Sequence, residues 1–159
     1  MAKPSTLLCL FSLALPFLSF TSADSILNAN PAKQPRSLAH AELMFHGFPV
    51  GLLPASVRNY SLNRTTGEFS VNLGSNCRIT LPPDNYLAMY SEKVTGKIVK
   101  GRIGELAGIR VRAMFRWWSI TGISSNGDDL TFEVGMLTAK YPLNNFLDVP
   151  ACEGSSSTS

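Results

Sequence analysis

Residues 109–118 alternate between apolar and cationic side chains for longer than any other stretch, and this alternation constrains the fold most. The apolar set is Ile109, Val111, Ala113, Phe115 and Trp117, and the cationic set is Arg110, Arg112 and Arg116. A period of two residues is the geometry of a half-buried strand. The sequence therefore predicts one long strand with an apolar inner face and a cationic outer face.

The alternation changes phase at the end of this stretch. The next apolar residue, Ile120, has the parity of Trp118 rather than that of Trp117. An extra residue in one strand of an antiparallel pair shifts the side chains in this way. We predict a β-bulge at Trp117 and Trp118.

Residues 1–23 have the composition of a secretory signal peptide. Lys3 is positively charged, residues 7–20 are mostly apolar, and Ala23 is a small residue suited to cleavage. The alternative, a membrane anchor, needs roughly 20 apolar residues, and Pro16 interrupts this shorter run. The sequence predicts a secreted, extracellular protein with no transmembrane span in the mature chain.

The rest of the chain has the length of one domain. Residues 24–36 contain two prolines and no periodicity, which predicts a flexible lead-in. Residues 37–152 suffice for a single domain with its own core, and the serine-rich residues 153–159 predict a disordered tail. Without Lys3 of the signal peptide, the formal net charge falls from +3 to +2, which is too small to imply nucleic-acid binding, and we expect a monomer.

Two cysteines remain once the signal peptide removes Cys9. Cys77 and Cys152 are an even pair in an oxidising pathway, so the sequence predicts a disulfide between them. A bridge that closes so long a loop stabilises the fold by roughly 4 kcal/mol. Zinc binding is the alternative, but His40 and His46 lack finger spacing, and we predict no metal or other cofactor.

Residues 37–47 have the pattern of one short amphipathic helix. Ser37 suits the N-cap and Gly47 the C-terminus. The apolar residues at helical spacing are Leu38, Ala41, Met44 and Phe45. Residues 48–54 combine two prolines and a glycine with apolar residues, which predicts an extended, buried segment.

Short alternating stretches continue to the end of the chain. They predict strands at residues 57–63, 68–73, 77–81, 86–90, 94–99, 102–106, 130–134 and 137–141, with an Asn126-Gly127 hairpin turn. Many short strands and one helix predict an all-β (minor α) fold, a small antiparallel β-barrel with one short N-terminal helix.

Two N-glycosylation sequons begin at Asn59 and Asn63. Both asparagines have the polar parity of the predicted strand, opposite Tyr60 and Leu62. We predict that both are exposed and that at least one carries a glycan.

From Gly47 to Pro54 onward, the sequence resembles the plant family called domain of unknown function 538. The family's further motifs follow in order: Thr66-Gly67-Glu68-Phe69, Cys77, Tyr90 with Val94-Thr95-Gly96, Trp117-Trp118, Val134-Gly135 and residues 146–152. The resemblance covers residues 41–152. It implies a small, often secreted plant protein, hence a cell-wall or apoplastic location, with a compact β-barrel.

The resemblance implies little about activity. Family members have been likened to one half of the lipid-binding bactericidal/permeability-increasing proteins, and some have been proposed to act on chlorophyll. The family has no agreed catalytic residues, so the resemblance assigns none to this chain.

Binding of a lipid-like or amphipathic ligand is the leading functional hypothesis, since a small barrel can hold one such molecule. The alternative is a barrel filled by its own side chains. The expected ligand-binding residues are Phe48, Val50, Leu52, Leu53, Val111, Phe115 and Trp117 for the apolar part, and Arg110, Arg112 and Arg116 for an acidic head.

Binding to an acidic polysaccharide or lipid headgroup is the second hypothesis. The cations that it requires are Lys97, Lys100, Arg102, Arg110, Arg112 and Arg116, which could form one patch on paired strands. The alternative is a solvated strand face that prevents edge association.

A hydrolase acting on chlorophyll-like esters is the third hypothesis. The sequence contains no Gly-x-Ser-x-Gly elbow, no His-Glu-x-x-His motif and no Walker-type loop. Of the two histidines, His40 and His46, the second is the preferred general base for such an enzyme, because it lies beside the apolar residues 48–54. The alternative is a surface pair of His46 with Glu42.

Overall fold

The computed structural model describes residues 37–154. The predicted signal peptide, the lead-in and residues 155–159 of the predicted tail lie outside the described residues. The elements are helix α1 (Leu38–Phe45) and strands β1 (Asn59–Leu62), β2 (Glu68–Asn72), β3 (Cys77–Leu81), β4 (Tyr86–Val99), β5 (Arg102–Ala113), β6 (Arg116–Ser125), β7 (Asp129–Val134) and β8 (Leu137–Pro142), with 3-10 turns at Val50–Leu52 and Leu143–Phe146. The prediction of an all-β fold with one short helix is confirmed.

All eight strands belong to one antiparallel sheet, in the order β1-β2-β4-β5-β6-β7-β8, with β3 also paired to β4. Within the described residues, no ladder joins β1 to β8, so the barrel is only approximate. Helix α1 and residues 48–54 pack with the apolar residues of the sheet in one core. The fold is a curved, open sheet covered by the helix and the segment after it.

Strand β4 is a single element of 14 residues, so the prediction of two strands at residues 86–90 and 94–99 was wrong. Its first half pairs with β3 and its second half with β2, which places these two strands end to end along one edge. The junction is bridged by hydrogen bonds from the Leu73 amide to the Glu92 carbonyl and from the Glu92 amide to Asn76 Oδ1. The polar residues that interrupt the alternation are therefore part of the strand.

Helix α1 begins at the predicted N-cap, because the Ser37 hydroxyl accepts a hydrogen bond from the His40 amide. Its buried face was predicted wrongly: Leu38 and Phe45 are 73% and 76% exposed. The buried residues are Ala39, His40 and Leu43. His40 is tolerated there because its ring lies within hydrogen-bond distance of Ser37 Oγ (2.7 Å) and the Leu53 carbonyl (3.1 Å).

Residues 48–54 are mostly buried, as predicted, but they are not extended throughout. A 3-10 turn at Val50–Leu52 follows Pro49. The Leu52 carbonyl accepts a hydrogen bond of 3.0 Å from the Tyr90 hydroxyl, and burial raises the pKa of that phenol. This bond ties the turn to the centre of β4.

The predicted long strand at residues 109–118 is wrong, because the chain reverses in its middle. Strand β5 ends at Ala113, β6 begins at Arg116, and these two residues are paired. Met114 and Phe115 form a two-residue turn with φ angles of 51° and 63°. The ladder is continuous from this turn to Ser119, so no bulge lies at Trp117 and Trp118. The turn itself changes the parity of the apolar residues.

The β1–β2 hairpin confirms the predicted register. Tyr60 and Leu62 pack against the core, whereas Asn59 and Asn63 are exposed. The turn ends at Gly67, which has a φ of 79° as the hairpin requires.

The predicted disulfide between Cys77 and Cys152 is confirmed. It joins the start of β3 to the C-terminal segment, across a sequence separation of 75 residues. Along residues 37–154, no helix has the length and apolar character needed to cross a membrane.

Candidate functional site

An apolar cleft of about 200 Å³ lies at the end of the sheet that carries the β5–β6 and β7–β8 turns. We refer to it as the hairpin cleft. Its lining residues are Leu81, Pro82, Tyr86, Val111, Ala113, Met114, Trp118, Ile120, Phe132, Val134, Leu137, Thr138, Ala139, Tyr141 and Phe146.

The strand register explains why these side chains converge. Residues paired across a ladder point to the same face of a sheet. The paired lining residues are Val111 with Trp118, Ile120 with Val134, and Phe132 with Ala139. Each of β5 to β8 therefore contributes alternate side chains to one wall.

Aromatic rings form the deepest part of the cleft. The buried Phe132 ring lies 5.4 Å from the ring of Phe146 and 6.1 Å from that of Tyr141, measured between centroids. The Trp118 indole donates its N–H to the Ala113 carbonyl at 3.2 Å. Because its donor is satisfied within its own hairpin, Trp118 presents an apolar surface to the cleft.

Two tyrosines, Tyr86 and Tyr141, are among the lining residues. Partial burial, with contributions from the nearby Tyr86 and Asp84, raises the pKa of Tyr141. This phenol is neutral at physiological pH, and Asp84 and Tyr86 are its polar neighbours within the protein. The cleft is thus lined mainly by apolar and aromatic side chains, as small-molecule sites generally are.

Cationic side chains surround the β5–β6 turn. Arg116 pairs with Ala113, a lining residue, so it extends from the cleft side of the sheet. Arg112 pairs with Trp117 on the opposite face. On that outer face, the guanidinium of Arg110 lies 5.8 Å from the centre of the Trp117 ring.

The structure separates the residues that the sequence predicted as one binding site. Only Val111 lines the hairpin cleft. Leu52 and Leu53 line a cavity of about 50 Å³ between α1 and the sheet. Phe48 and Val50 line a more open groove of about 250 Å³ that also includes Leu143 and Leu147.

The remaining predicted residues lie outside all three cavities. Phe115 projects from the β5–β6 turn, and Trp117, Arg110 and Arg112 lie on the outer face. The 50 Å³ cavity is where a ligand was expected, and it is almost filled by the protein's own side chains. The reversal at Met114 and Phe115 explains the displacement, because it turns Trp117 outward and Trp118 inward.

The cationic patch predicted over β4 to β6 is divided. Arg102 forms a bidentate pair with Glu133 (2.5 and 3.2 Å), and this hydrogen bonding lowers the pKa of the Glu133 carboxyl. Lys97 is paired across the ladder with Glu68. Among residues 37–154, Arg102 is the one member of the predicted patch that forms an ion pair. Arg110, Arg112 and Arg116 lie near the β5–β6 turn, whereas Lys97 and Lys100 lie near the β4–β5 turn.

His46 follows α1 and borders none of the three cavities. Its Nδ1 lies 2.8 Å from the Glu42 carbonyl and 4.0 Å from the Glu42 carboxylate, whose other oxygen contacts Arg64. The role of His46 as a general base stays a prediction. Full esterase activity in a His46→Ala protein would contradict it. In the described part of the chain, no group of three or more His, Cys, Asp and Glu side chains could hold a metal ion.

Sequence reasoning missed most of the cleft. The missed aromatic residues include Trp118, Phe132, Tyr141 and Phe146. A signal was present, because Trp118 shares its parity with the buried Ile120, and Phe132 alternates with polar residues in β7. What the sequence did not contain was the curvature that brings the two hairpins together.

Residues 39–147 match the family model described as "Protein of unknown function, DUF538". This range contains every residue that lines the hairpin cleft. Over 91 residues the chain is 28% identical to "Uncharacterized protein At5g01610" of Arabidopsis thaliana, which covers 57% of this chain and 52% of the relative. The chain thus spans about half the length of the curated relative that it matches.

Proposed function

The chain belongs to the DUF538 family, and we propose that it is a secreted, non-enzymatic protein that binds the apolar end of an amphipathic molecule. The supporting observation is the hairpin cleft, an apolar space of about 200 Å³ with aromatic rings at its base. Moving an apolar group from water into an apolar cleft is favourable, so a cleft of this kind that opens at the surface can bind an apolar ligand.

The size of the cleft limits what it can enclose. An engineered apolar cavity of roughly 150 Å³ binds benzene, whereas sites that surround a drug-sized ligand measure about 300–1,000 Å³. The hairpin cleft lies between these values. It therefore suits a ring or a short stretch of acyl chain, with the rest of the molecule outside.

The part of the ligand outside the cleft meets positive charge. Arg116 extends from the cleft side of β6, immediately after the turn that carries Met114. A carboxylate, sulfonate or phosphate at this position would form a charge-assisted hydrogen bond with the guanidinium. An apolar end with an acidic head is the ligand chemistry that fits both groups.

The test uses protein purified from the medium of a secretory host. Bound molecules are extracted with organic solvent and identified by mass spectrometry, and the extracted protein is titrated with anilinonaphthalene sulfonate, which has an apolar ring system and an acidic head. We expect saturable binding with one site. An empty extract together with no saturable binding would overturn the proposal.

The two adjacent tryptophans provide a matched pair of variants. Trp118→Ala removes a wall of the cleft, so the affinity for the probe should fall at least about tenfold. Trp117→Ala removes the same side chain from the outer face and should change the affinity less than about twofold. Ala139→Phe fills the cleft and should abolish binding. Equal losses in the two tryptophan variants would contradict the assignment of the cleft.

Secretion is part of this proposal, supported by the composition of residues 1–23 and by the disulfide. The expected location is the cell wall or apoplast. Protein collected from the medium should begin at Asp24 when its N-terminus is sequenced. Retention of residues 1–23 on the exported protein would argue for an anchor instead.

The outer face of β5 and β6 supports a second candidate, the binding of an acidic polysaccharide. Arg110 stacks over the half-exposed Trp117, and Arg112 lies across the ladder from it. A cation beside an aromatic face suits a sugar ring that carries a carboxylate. Binding to polygalacturonate should weaken in Arg110→Gln and be lost in about 0.5 M NaCl; binding that persists at that salt concentration would exclude this mode.

A further inference from the structure

Two turns at the cleft end of the sheet expose large apolar side chains. Met114 and Phe115, at the β5–β6 turn, are 83% and 95% exposed. Met136, at the β7–β8 turn, is 102% exposed, and Leu137 beside it is also exposed. Met114 and Leu137 both line the hairpin cleft, so the two turns border one opening. We refer to these four residues as the apolar tips.

The β5–β6 turn keeps its apolar residues despite an unfavourable backbone. Met114 and Phe115 have φ angles of 51° and 63°, a region that glycine and asparagine occupy most easily. Two-residue hairpin turns of this kind strongly prefer Asn-Gly. Strained backbone of this type is enriched at functional sites. The exposed Met-Phe pair is therefore better explained by a contact outside the molecule than by folding.

The two charged residues that flank the β5–β6 turn are both cationic. Arg112 and Arg116 flank the Met114–Phe115 turn, and no ion pair in the described part of the chain includes either residue. Trp117 follows Arg116 and is 42% exposed. This arrangement is found at membrane–water interfaces, where tryptophan is enriched and acidic headgroups attract cations. It consists of protruding apolar side chains, an adjacent tryptophan and two arginines.

We propose that this end of the protein docks on a bilayer that contains anionic phospholipid. The apolar tips enter between the headgroups, Arg112 and Arg116 contact the phosphates, and Trp117 lies at the level of the interface. The cleft then opens directly toward the acyl chains. Docking does not require an occupied cleft, so it stands independently of the ligand-binding function.

A lipid surface fits these residues better than a protein partner does. The apolar groups project from two separate turns rather than lining a groove into which a helix or strand would bind. Insertion of small apolar protrusions needs no complementary shape, and the positive charge complements acidic headgroups.

The experiment measures co-sedimentation of the protein, purified from a secretory host, with vesicles of phosphatidylcholine and phosphatidylserine in a two-to-one ratio. The test variant is Met114→Asn/Phe115→Gly, which removes the exposed tip and supplies the preferred turn residues. The matched control is Leu38→Ser/Phe45→Ser, which removes two comparably exposed apolar residues from α1 at the surface of the helix.

We expect the tip variant to bind at least about tenfold more weakly than the unchanged protein, because two side chains no longer become buried in the bilayer. The control variant should bind like the unchanged protein. Binding should also fall in Arg112→Gln/Arg116→Gln, in vesicles of phosphatidylcholine alone and in about 0.5 M NaCl. Cooperative melting at or above the temperature of the unchanged protein will show that the tip variant is folded, and near-normal melting temperatures will show this for the other variants.

Three results would overturn the proposal: no sedimentation of the unchanged protein with anionic vesicles, equal losses in the tip and control variants, or equal binding to neutral vesicles. The cleft-filling variant Ala139→Phe separates the two functions. This variant should no longer bind the fluorescent probe but should still bind vesicles. Loss of both kinds of binding would contradict docking that is independent of the cleft.

Discussion

At the scale of single residues, Gly51 fixes the position of the segment that covers the core. A Cβ on this residue would lie against the backbone carbonyl oxygen of Phe146 and 2.6 Å from that of Asp148. Backbone atoms cannot move aside as the end of a flexible side chain can. The 3-10 turn at residues 50–52 and the C-terminal segment therefore approach each other closely only because residue 51 has no side chain.

We expect Gly51→Ala to lower the free energy of unfolding by about 1–3 kcal/mol, the range for overpacking a well-packed site. Gly104→Ala is the matched control, since a Cβ there meets no atom within 4 Å. It should change the stability by less than about 0.5 kcal/mol. Urea unfolding measures both variants, and similar losses would show that the contact at Gly51 relaxes.

Asn59 and Asn63 lie on the exposed edge of the sheet, in β1 and just after it. The Asn63 side-chain oxygen accepts hydrogen bonds from the amides of Thr65 and Thr66 (3.0 and 3.2 Å), and both asparagines are exposed. We expect protein from a plant secretory host to lose mass on treatment with an N-glycosidase. Asn59→Gln/Asn63→Gln should abolish that change, and an unaltered mass in the starting protein would refute glycan attachment.

At the scale of elements, the alternation in the sequence identified strands better than it identified their ends. The hairpins with Gly67 and Asn126-Gly127 were predicted because they contain recognisable turn residues. The reversal at Met114 and Phe115 was missed because neither residue favours a positive φ. In the sequence, this reversal was indicated only by the change of parity before Ile120. A two-residue turn produces the same change of parity as the bulge that we predicted.

The strained turn predicts a stabilising variant. Met114→Asn/Phe115→Gly places residues that tolerate positive φ at 51° and 63°, so the unfolding free energy should rise by about 1 kcal/mol. The melting temperature should increase by roughly 3–6 °C in a thermal scan. Higher stability together with weaker vesicle binding is the trade-off expected at a functional site. A lower melting temperature would mean that the two side chains contribute to folding after all.

At the scale of the whole molecule, composition and periodicity predicted the fold class, and the pair Cys77 and Cys152 predicted the disulfide. The sequence did not predict the place of the candidate site, because that place depends on how an open sheet curves. Phe132 and Phe146 come from different elements and meet at the base of the cleft with rings 5.4 Å apart. Such long-range packing has no counterpart in a local pattern.

The C-terminal segment is held to the sheet by contacts that the disulfide brings together. The Ala55 amide donates to the Pro150 carbonyl (2.9 Å), and the Glu153 amide donates to the Arg78 carbonyl (2.7 Å). Both bonds lie within a few residues of Cys152 in the sequence or of its partner Cys77. Phe146, by contrast, is buried among the rings of the core and does not depend on the bridge alone.

We therefore expect reduction of the disulfide to act locally first. The free energy of unfolding should fall by up to about 4 kcal/mol, the chain-entropy value for a loop of this length. In hydrogen exchange, the amides of Ala55 and Glu153 should lose protection before those of β4 and β5, because the freed segment opens without unfolding the sheet. Cys77→Ala/Cys152→Ala should reproduce this order without a reductant. Simultaneous loss of protection throughout the sheet would instead make the C-terminal segment part of one cooperative unit with the core.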